Sequence, residues 1–266
     1  MSKFKYQQFF IIIHFIMFIV YLFTKETFFY NSYHSQIPFL FYTLLIIYCL
    51  MLKFYSKASY SPGYVTDEII DVENVGTNLF FCKYCQIYAP IRASHCKICQ
   101  KCVIRRDHHC QWTNNCIGRD NHFYFFLFTS LAFISELIPQ LDSTTHLIFC
   151  YKKIVKNKFF LFTILCYTSF IIATTFACIL TYNLSYQNVL SIMDNSTMWE
   201  RRKRDRITYL KNYPLNESPF NQGFVRNLIE FCTMRKKKMN WKIEQIENSV
   251  LYNSSNSLNE NDDNLL

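Results

Sequence analysis

Seven cysteines and three histidines fall between Cys82 and Cys116, set out as CxxC pairs and closed by Asp107-His108-His109-Cys110. Apolar stretches flank this block closely. A secreted disulfide scaffold is a poor fit, because CxxC pairs interleaved with histidine are metal-ligand spacing and suit a reducing compartment. A soluble globule is a poor fit as well. The hydrophobic residues, 51% of the 266, are gathered into blocks of the kind that cross bilayers. Cys49, Cys166 and Cys178 lie inside those apolar runs and read as buried thiols.

Four blocks approach the length that crosses a hydrocarbon core, about 20 residues as a helix: residues 9–23, 37–55, 123–141 and 159–182. The first reads as a retained anchor, because Lys25-Glu26 follows it without a small-residue cleavage site. Of the 28 Lys and Arg residues, 23 lie in the N-terminus, in residues 53–119 or after residue 182. With four spans these three segments share one side, and basic loops are cytosolic. Lys152, Lys153, Lys156 and Lys158 dissent, falling in the opposite loop. The net charge of +9 suits an anionic leaflet or a phosphate-bearing ligand rather than nucleic acid in a chain with spans. Arg201-Arg202-Lys203-Arg204 reads as a juxtamembrane charge run, and residues 248–266 as a disordered polar tail. Within the spans, Glu136 is a functional candidate by its cost in hydrocarbon, or a carboxylate reaching the far interface. His14 reads as a neutral packed histidine.

These boundaries give four parts: 1–58 with the first two helices, 59–119 with the cysteine block, 120–183 with the last two helices, and 184–266 as a cytosolic tail. The expected fold class is an α-helical integral membrane protein. Four transmembrane helices carry a small two-zinc, cysteine-rich cytosolic domain between helices 2 and 3.

Structural zinc takes four Cys or His ligands. Cys82, Cys85, His95, Cys96, Cys99, Cys102, His108, His109, Cys110 and Cys116 therefore fill two sites with two residues over. The pairs Cys82/Cys85 and Cys96/Cys99 are natural half-sites. His95 and Cys102 can complete the first, His109 and Cys116 the second, in an interleaved module whose two halves are similar. Spacing does not decide which residues are spare, since adjacent His108 and His109 could exchange roles. Chemistry favours His108 and Cys110, because a nucleophilic thiol needs a base and the base an orienting acceptor. Asp107, His108 and Cys110 supply all three within four residues.

The run from Cys82 to Cys116, with Arg92-Ala93-Ser94-His95-Cys96 inside it and Asn114-Asn115-Cys116-Ile117-Gly118 at its end, resembles the cysteine-rich domain of DHHC protein S-acyltransferases. The tail segment Pro219-Phe220-Asn221-Gln222-Gly223, with Asn227 and Phe231, extends the resemblance, which reaches from about residue 8 to about 232. It implies transfer of a fatty acyl group, typically palmitoyl, from acyl-CoA to cysteines of cytosolic or membrane proteins by a ping-pong route. Cys110 would carry the acyl thioester, His108 act as base and Asp107 orient it. Cys82, Cys85, His95 and Cys102 would hold one structural zinc; Cys96, Cys99, His109 and Cys116 the other. Arg92 matches a position able to contact CoA phosphates, with Lys97, Lys101, Arg105 and Arg106 as weaker candidates. The protein would sit in an endomembrane or plasma membrane with both termini and the cysteine-rich domain cytosolic, acting on cysteine-containing proteins and no nucleic acid.

Three departures stand out. Gln111 replaces the proline usual after the tetrad, Ala89 stands where many members have lysine, and the Thr-Thr-x-Glu motif is reduced to Thr197-Met198-Trp199-Glu200. They motivate a rival reading, a zinc-bearing membrane adaptor without turnover. A RING-type ligase fits less well, since its gaps between ligand pairs are longer and it leaves a spare cysteine without a use.

Overall fold

The computed structural model describes residues 5–23, 39–66, 79–149, 160–210, 213 and 217–235. The readings given for Lys152, Lys153, Lys156 and Lys158 and for the tail 248–266 lie outside the described residues. The described chain divides into two compact units.

One unit is built from helices α1 (Lys5–Phe23), α2 (Phe39–Ala58), most of α3 (His122–Phe149) and most of α4 (Phe160–Met193). Among the described residues, three helices are long and apolar enough to cross a membrane: Phe41–Ala58, His122–Thr145 and Ile164–Met193. The apolar stretch of α1, Ile11–Tyr21, is shorter. Large apolar side chains such as Ile12, Phe15, Ile172 and Phe176 are bare, as a surface turned to lipid would be.

Pair contacts give the packing order. Phe18 stacks on Tyr48 with centroids 4.3 Å apart, and Tyr21 packs with Leu44, so α1 and α2 run antiparallel. Between α3 and α4 a series of polar pairs also runs antiparallel. Asn188 donates to Thr129 at 3.2 Å, Thr181 to Glu136 at 2.7 Å and Gln140 to Thr175 at 3.4 Å. The α1 helix joins α3 through His14 to Glu136 at 2.8 Å and Tyr21 to Asp142 at 3.0 Å. Glu136 thus reaches a histidine and a threonine inside the unit, rather than an interface.

α4 runs to Met193, eleven residues past the end that hydropathy suggests. The extension is polar, with Asn183, Ser185, Gln187, Asn188 and Ser191, so the apolar pattern stops where the helix does not.

The second unit holds residues 60–110, 115–123 and 189 onward. Its six short strands form three antiparallel hairpins: β1 (Leu79–Cys82) with β2 (Ile87–Pro90), β3 (Ser94–Cys96) with β4 (Lys101–Val103), and β5 (His108–Cys110) with β6 (Asn115–Ile117). Each turn closes with a left-handed residue, Gln86, Gln100 and Asn114, fourteen positions apart. Cys82, Cys96 and Cys110 occupy the same place, the last residue before the turn, paired with Ile87, Lys101 and Asn115. The block is therefore a threefold repeat rather than the two similar halves expected. Gly118 follows the third hairpin, and a side chain there would meet Val103 at 2.6 Å and the Pro62 carbonyl at 2.7 Å.

The tail completes this unit with short helix α5 (Met198–Arg202), two 3-10 turns (Arg204–Arg206 and Thr208–Leu210) and helix α6 (Phe224–Thr233). Thr197 caps α5 through a full capping box with Glu200. The α6 start is fixed by Asn227, whose amide donates to the Met193 carbonyl at 2.9 Å and to Asn221 at 2.8 Å, while its oxygen accepts from Gln222 N–H at 2.9 Å.

Candidate active site and metal centres

The hairpin repeat brings two sets of four ligand atoms together. Cys82, Cys85, His95 and Cys102 form one, and Cys96, Cys99, His109 and Cys116 the other, with all ligand atoms of a set within 4.8 Å of one another. In the first, Cys85 Sγ lies 3.2 Å from His95 Nδ1 and 3.8 Å from Cys102 Sγ. In the second, Cys99 Sγ lies 3.6 Å from Cys116 Sγ, and His109 Nδ1 lies 3.4–3.7 Å from all three sulfurs. A tetrahedron with metal–sulfur bonds of about 2.3 Å has edges of about 3.8 Å, so both sets have the donor chemistry and spacing of a closed zinc shell. The Cys99 N–H donates to Cys96 Sγ at 3.4 Å, as knuckle amides do for ligating thiolates. Ala89, fully buried, packs with Cys82, Ala93 and Cys102 inside the first knuckle.

The third hairpin diverges from the other two. The position of Cys85 and Cys99 is taken by Thr113, so Cys110 is a knuckle cysteine whose CxxC partner is missing. Strand alternation then separates the adjacent histidines. His109 has the place that His95 has one repeat earlier, opposite Cys116 as His95 is opposite Cys102, and faces a ligand set. His108 and Cys110, two apart, share the other face of β5.

Asp107 Oδ2 lies 2.8 Å from His108 Nδ1. This contact puts the Nδ1 proton toward the carboxylate and leaves Nε2 for the thiol. Burial pushes His108 down, but the hydrogen bonds to Asp107 and to the Cys110 thiol outweigh it and raise it to about 9. Burial pushes Asp107 up, yet His122 and His108 hold it well below the usual carboxylate range. Its other oxygen accepts the Met198 N–H at 2.6 Å. That bond comes from backbone at the first turn of α5, so it does not depend on the threonine replaced by Met198. The Asp107 and Cys110 side chains are buried, while His108 keeps 20% of its side chain exposed.

Arg92 sits elsewhere in the same unit. Only 2% exposed, it makes a two-pronged pair with Glu200, Nε to Oε1 at 2.8 Å and NH2 to Oε2 at 2.9 Å. It also donates to Asn195 Oδ1 at 3.2 Å and Asn195 O at 2.7 Å, and its guanidinium lies over Phe220 at 4.0 Å. The hydrogen-bonding edge is turned into protein, not toward solvent. Arg105, 1% exposed, donates to His122 Nδ1 at 3.1 Å and Asn195 Oδ1 at 3.3 Å. Burial, with Arg92 beside it, lowers Arg105 to about 10. Of the other expected phosphate contacts, Lys97 and Lys101 are exposed, and Arg106 donates to the His95 carbonyl at 3.2 Å.

Two residues of this framework were not singled out from sequence. Asn195 ties Arg92, Arg105, the Phe220 carbonyl and Glu230 together. The Asp194-Asn195-Ser196-Thr197 run, an Asx-type turn leading into a cap, was its available signal. Thr113 could have been found by aligning the three fourteen-residue units.

With this geometry in place, residues 76–205 match the family model of the DHHC palmitoyltransferases. This stretch is similar to the DHHC palmitoyltransferase domain. No curated protein matches the chain individually. The matched stretch spans both ligand sets, the Asp107-His108-His109-Cys110 tetrad, α3, α4 and α5, and stops before α6.

Proposed function

We propose that the protein is a protein S-acyltransferase that moves a fatty acyl group, palmitoyl among them, from acyl-CoA to cysteines of membrane-associated or cytosolic proteins through a thioester on Cys110. The family match supports the palmitoyltransferase class. The observation that carries the mechanism is the shared face of His108 and Cys110 on β5, with His108 oriented by an immobilised Asp107.

The Cys110 thiolate attacks the acyl-CoA carbonyl carbon, forming the new C–S bond as its proton rests on His108. The bond to the CoA sulfur then breaks, and the departing thiolate takes that proton. An acceptor cysteine next gives its proton to His108 and attacks the Cys110 thioester. Cys110 leaves as the thiolate, and the cycle closes without net change in protons. Asp107 stays ionised throughout, fixing the tautomer and stabilising the imidazolium.

Zinc in the two Cys₃His sets would hold the hairpins in register, with closed shells and no open position. Arg92, in this reading, is a structural residue that fixes α5 rather than a CoA contact. Four helices span the bilayer, α1 among them, and both termini and the second unit are cytosolic. Holding the acyl chain in that environment matters, since each methylene is worth about 0.8 kcal/mol in lipid over water.

Autoacylation tests the reading. Purified protein in detergent is given labelled palmitoyl-CoA beside Cys110→Ser. Hydroxylamine-sensitive label that depends on Cys110, with equal zinc in both proteins, is expected. Zinc-loaded wild type that takes no label would make the adaptor reading the better one.

A further inference from the structure

The two ligand sets meet at one peptide bond. His95 belongs to the first set and its neighbour Cys96 to the second, and strand alternation sends their side chains to opposite faces of β3. The His95 carbonyl therefore lies at the junction of the sets, and Arg106 donates to it through NH1 at 3.2 Å. Arg106 is half-buried, and its Nε is buried without a hydrogen-bond partner among the described residues. Among those residues no carboxylate pairs with it either. Asp107, next in sequence, spends its oxygens on His108 and the Met198 N–H. A cation partly withdrawn from water on so little hydrogen bonding is costly unless negative charge lies close by.

The metal centres themselves would supply that charge. Three thiolates and a neutral imidazole around a dication leave each centre with one net negative charge. The charge of Arg106 acts on His95 of the first set and on Cys116 of the second. We propose that Arg106 is a positioning residue shared by both metal centres, whose guanidinium offsets their negative charge, steadies the junction through the His95 carbonyl and slows the loss of either ion. The proposal rests on the reading that both sets hold zinc. It sets Arg106 apart from the residues that could meet CoA phosphates, because its guanidinium is engaged where the two sets join. Groups just outside a ligand shell change metal affinity by about 10–100-fold, and one cation placed at the junction acts on two centres at once.

Zinc release from the full chain in detergent tests this. Wild type, Arg106→Gln and Arg106→Lys are purified zinc-loaded and mixed with excess zincon, a chelator that reports released zinc by absorbance. Two zinc ions per wild-type chain are expected. Arg106→Gln should release both about tenfold faster. Arg106→Lys keeps the charge and should stay within about threefold of wild type for both ions. Unchanged release from Arg106→Gln overturns the proposal. Faster loss of one ion alone overturns the sharing. Loss from Arg106→Lys that is about tenfold faster than wild type overturns the charge role and leaves a structural hydrogen bond; this arm decides the matter where Arg106→Gln does not fold. A raised KM for acyl-CoA in Arg106→Gln, with zinc release unchanged, makes the residue a CoA contact instead. Wild type that holds fewer than two zinc ions removes the zinc reading, and the shared role falls with it.

Discussion

At the scale of single residues, reactivity follows from what surrounds Cys110. His108 is raised to about 9 by partners that favour its charged form against the opposing effect of burial. Its folded value lies above its unfolded one, about 6.5. The stability this gives is present in full below about pH 6.5 and is lost as pH rises through about 9. The difference in thermal midpoint between wild type and His108→Gln should therefore shrink from pH 6 toward about pH 10; a gap that widens would contradict the assignment. Asp107→Asn removes the carboxylate that opposes burial. Autoacylation should fall about a hundredfold or more. The alkaline limb of its pH profile should also move to lower pH, while zinc content stays the same. A second prediction concerns Thr113. In two of three repeats that position is a ligand cysteine, and threonine in the third leaves Cys110 unclaimed. Thr113→Cys restores the knuckle. Metal content per chain should rise above wild type while autoacylation falls; unchanged values for both would mean the hairpin equivalence has no chemical weight.

At the scale of elements, the site depends on a short helix remote in sequence. α5 has only five residues, too few to persist alone, and is held by its capping box and the Arg92–Glu200 pair. Both side chains are almost fully buried, and Tyr209 adds a hydrogen bond to Glu200 at 3.1 Å. Removing one partner from a buried pair costs about 3–5 kcal/mol. Arg92→Met should lower the thermal midpoint strongly, and Arg92→Lys should rescue little, because an ammonium cannot reproduce two parallel bonds. If Arg92 served CoA instead, Arg92→Lys would keep stability and raise the KM for acyl-CoA. This framework was only partly legible in sequence. Ligand spacing pointed to both metal sets because CxxC turns are local. The third hairpin was obscured because Thr113 and Gln111 erase the pattern, and only the register of β5 on β6 restores it. The role of Arg92 depends on Glu200, 108 residues away, a pairing that no local pattern encodes. Met198 looked like a loss because side chains are what a sequence displays, whereas the bond to Asp107 is made by backbone.

At the scale of the whole molecule, the helical unit departs from an oily bundle. Its helices are joined by polar pairs at several levels, and one of them involves Glu136, only 8% exposed between His14 and Thr181. A carboxylate is costly in hydrocarbon, so such a residue persists when its oxygens are occupied. Here each oxygen has a partner from a different helix, α1 on one side and α4 on the other. The sequence displayed both His14 and Glu136 but not their meeting, since 122 residues separate them. Association of helices in lipid lacks the hydrophobic drive it has in water and leans on such contacts, each worth about 0.6–2 kcal/mol. The consequence is a sign difference between single and double substitutions. His14→Leu alone leaves Glu136 short of a partner and should lower resistance to unfolding in bicelles. His14→Leu with Glu136→Leu removes both polar groups and should recover most of that loss, giving a coupling energy of about 1 kcal/mol or more. If the two losses simply add, the pair is incidental and α1 is held by its aromatic contacts to α2. If the double variant recovers, the histidine and glutamate are coupled, and the loss in the single variant is the cost of leaving the Glu136 carboxylate short of a partner.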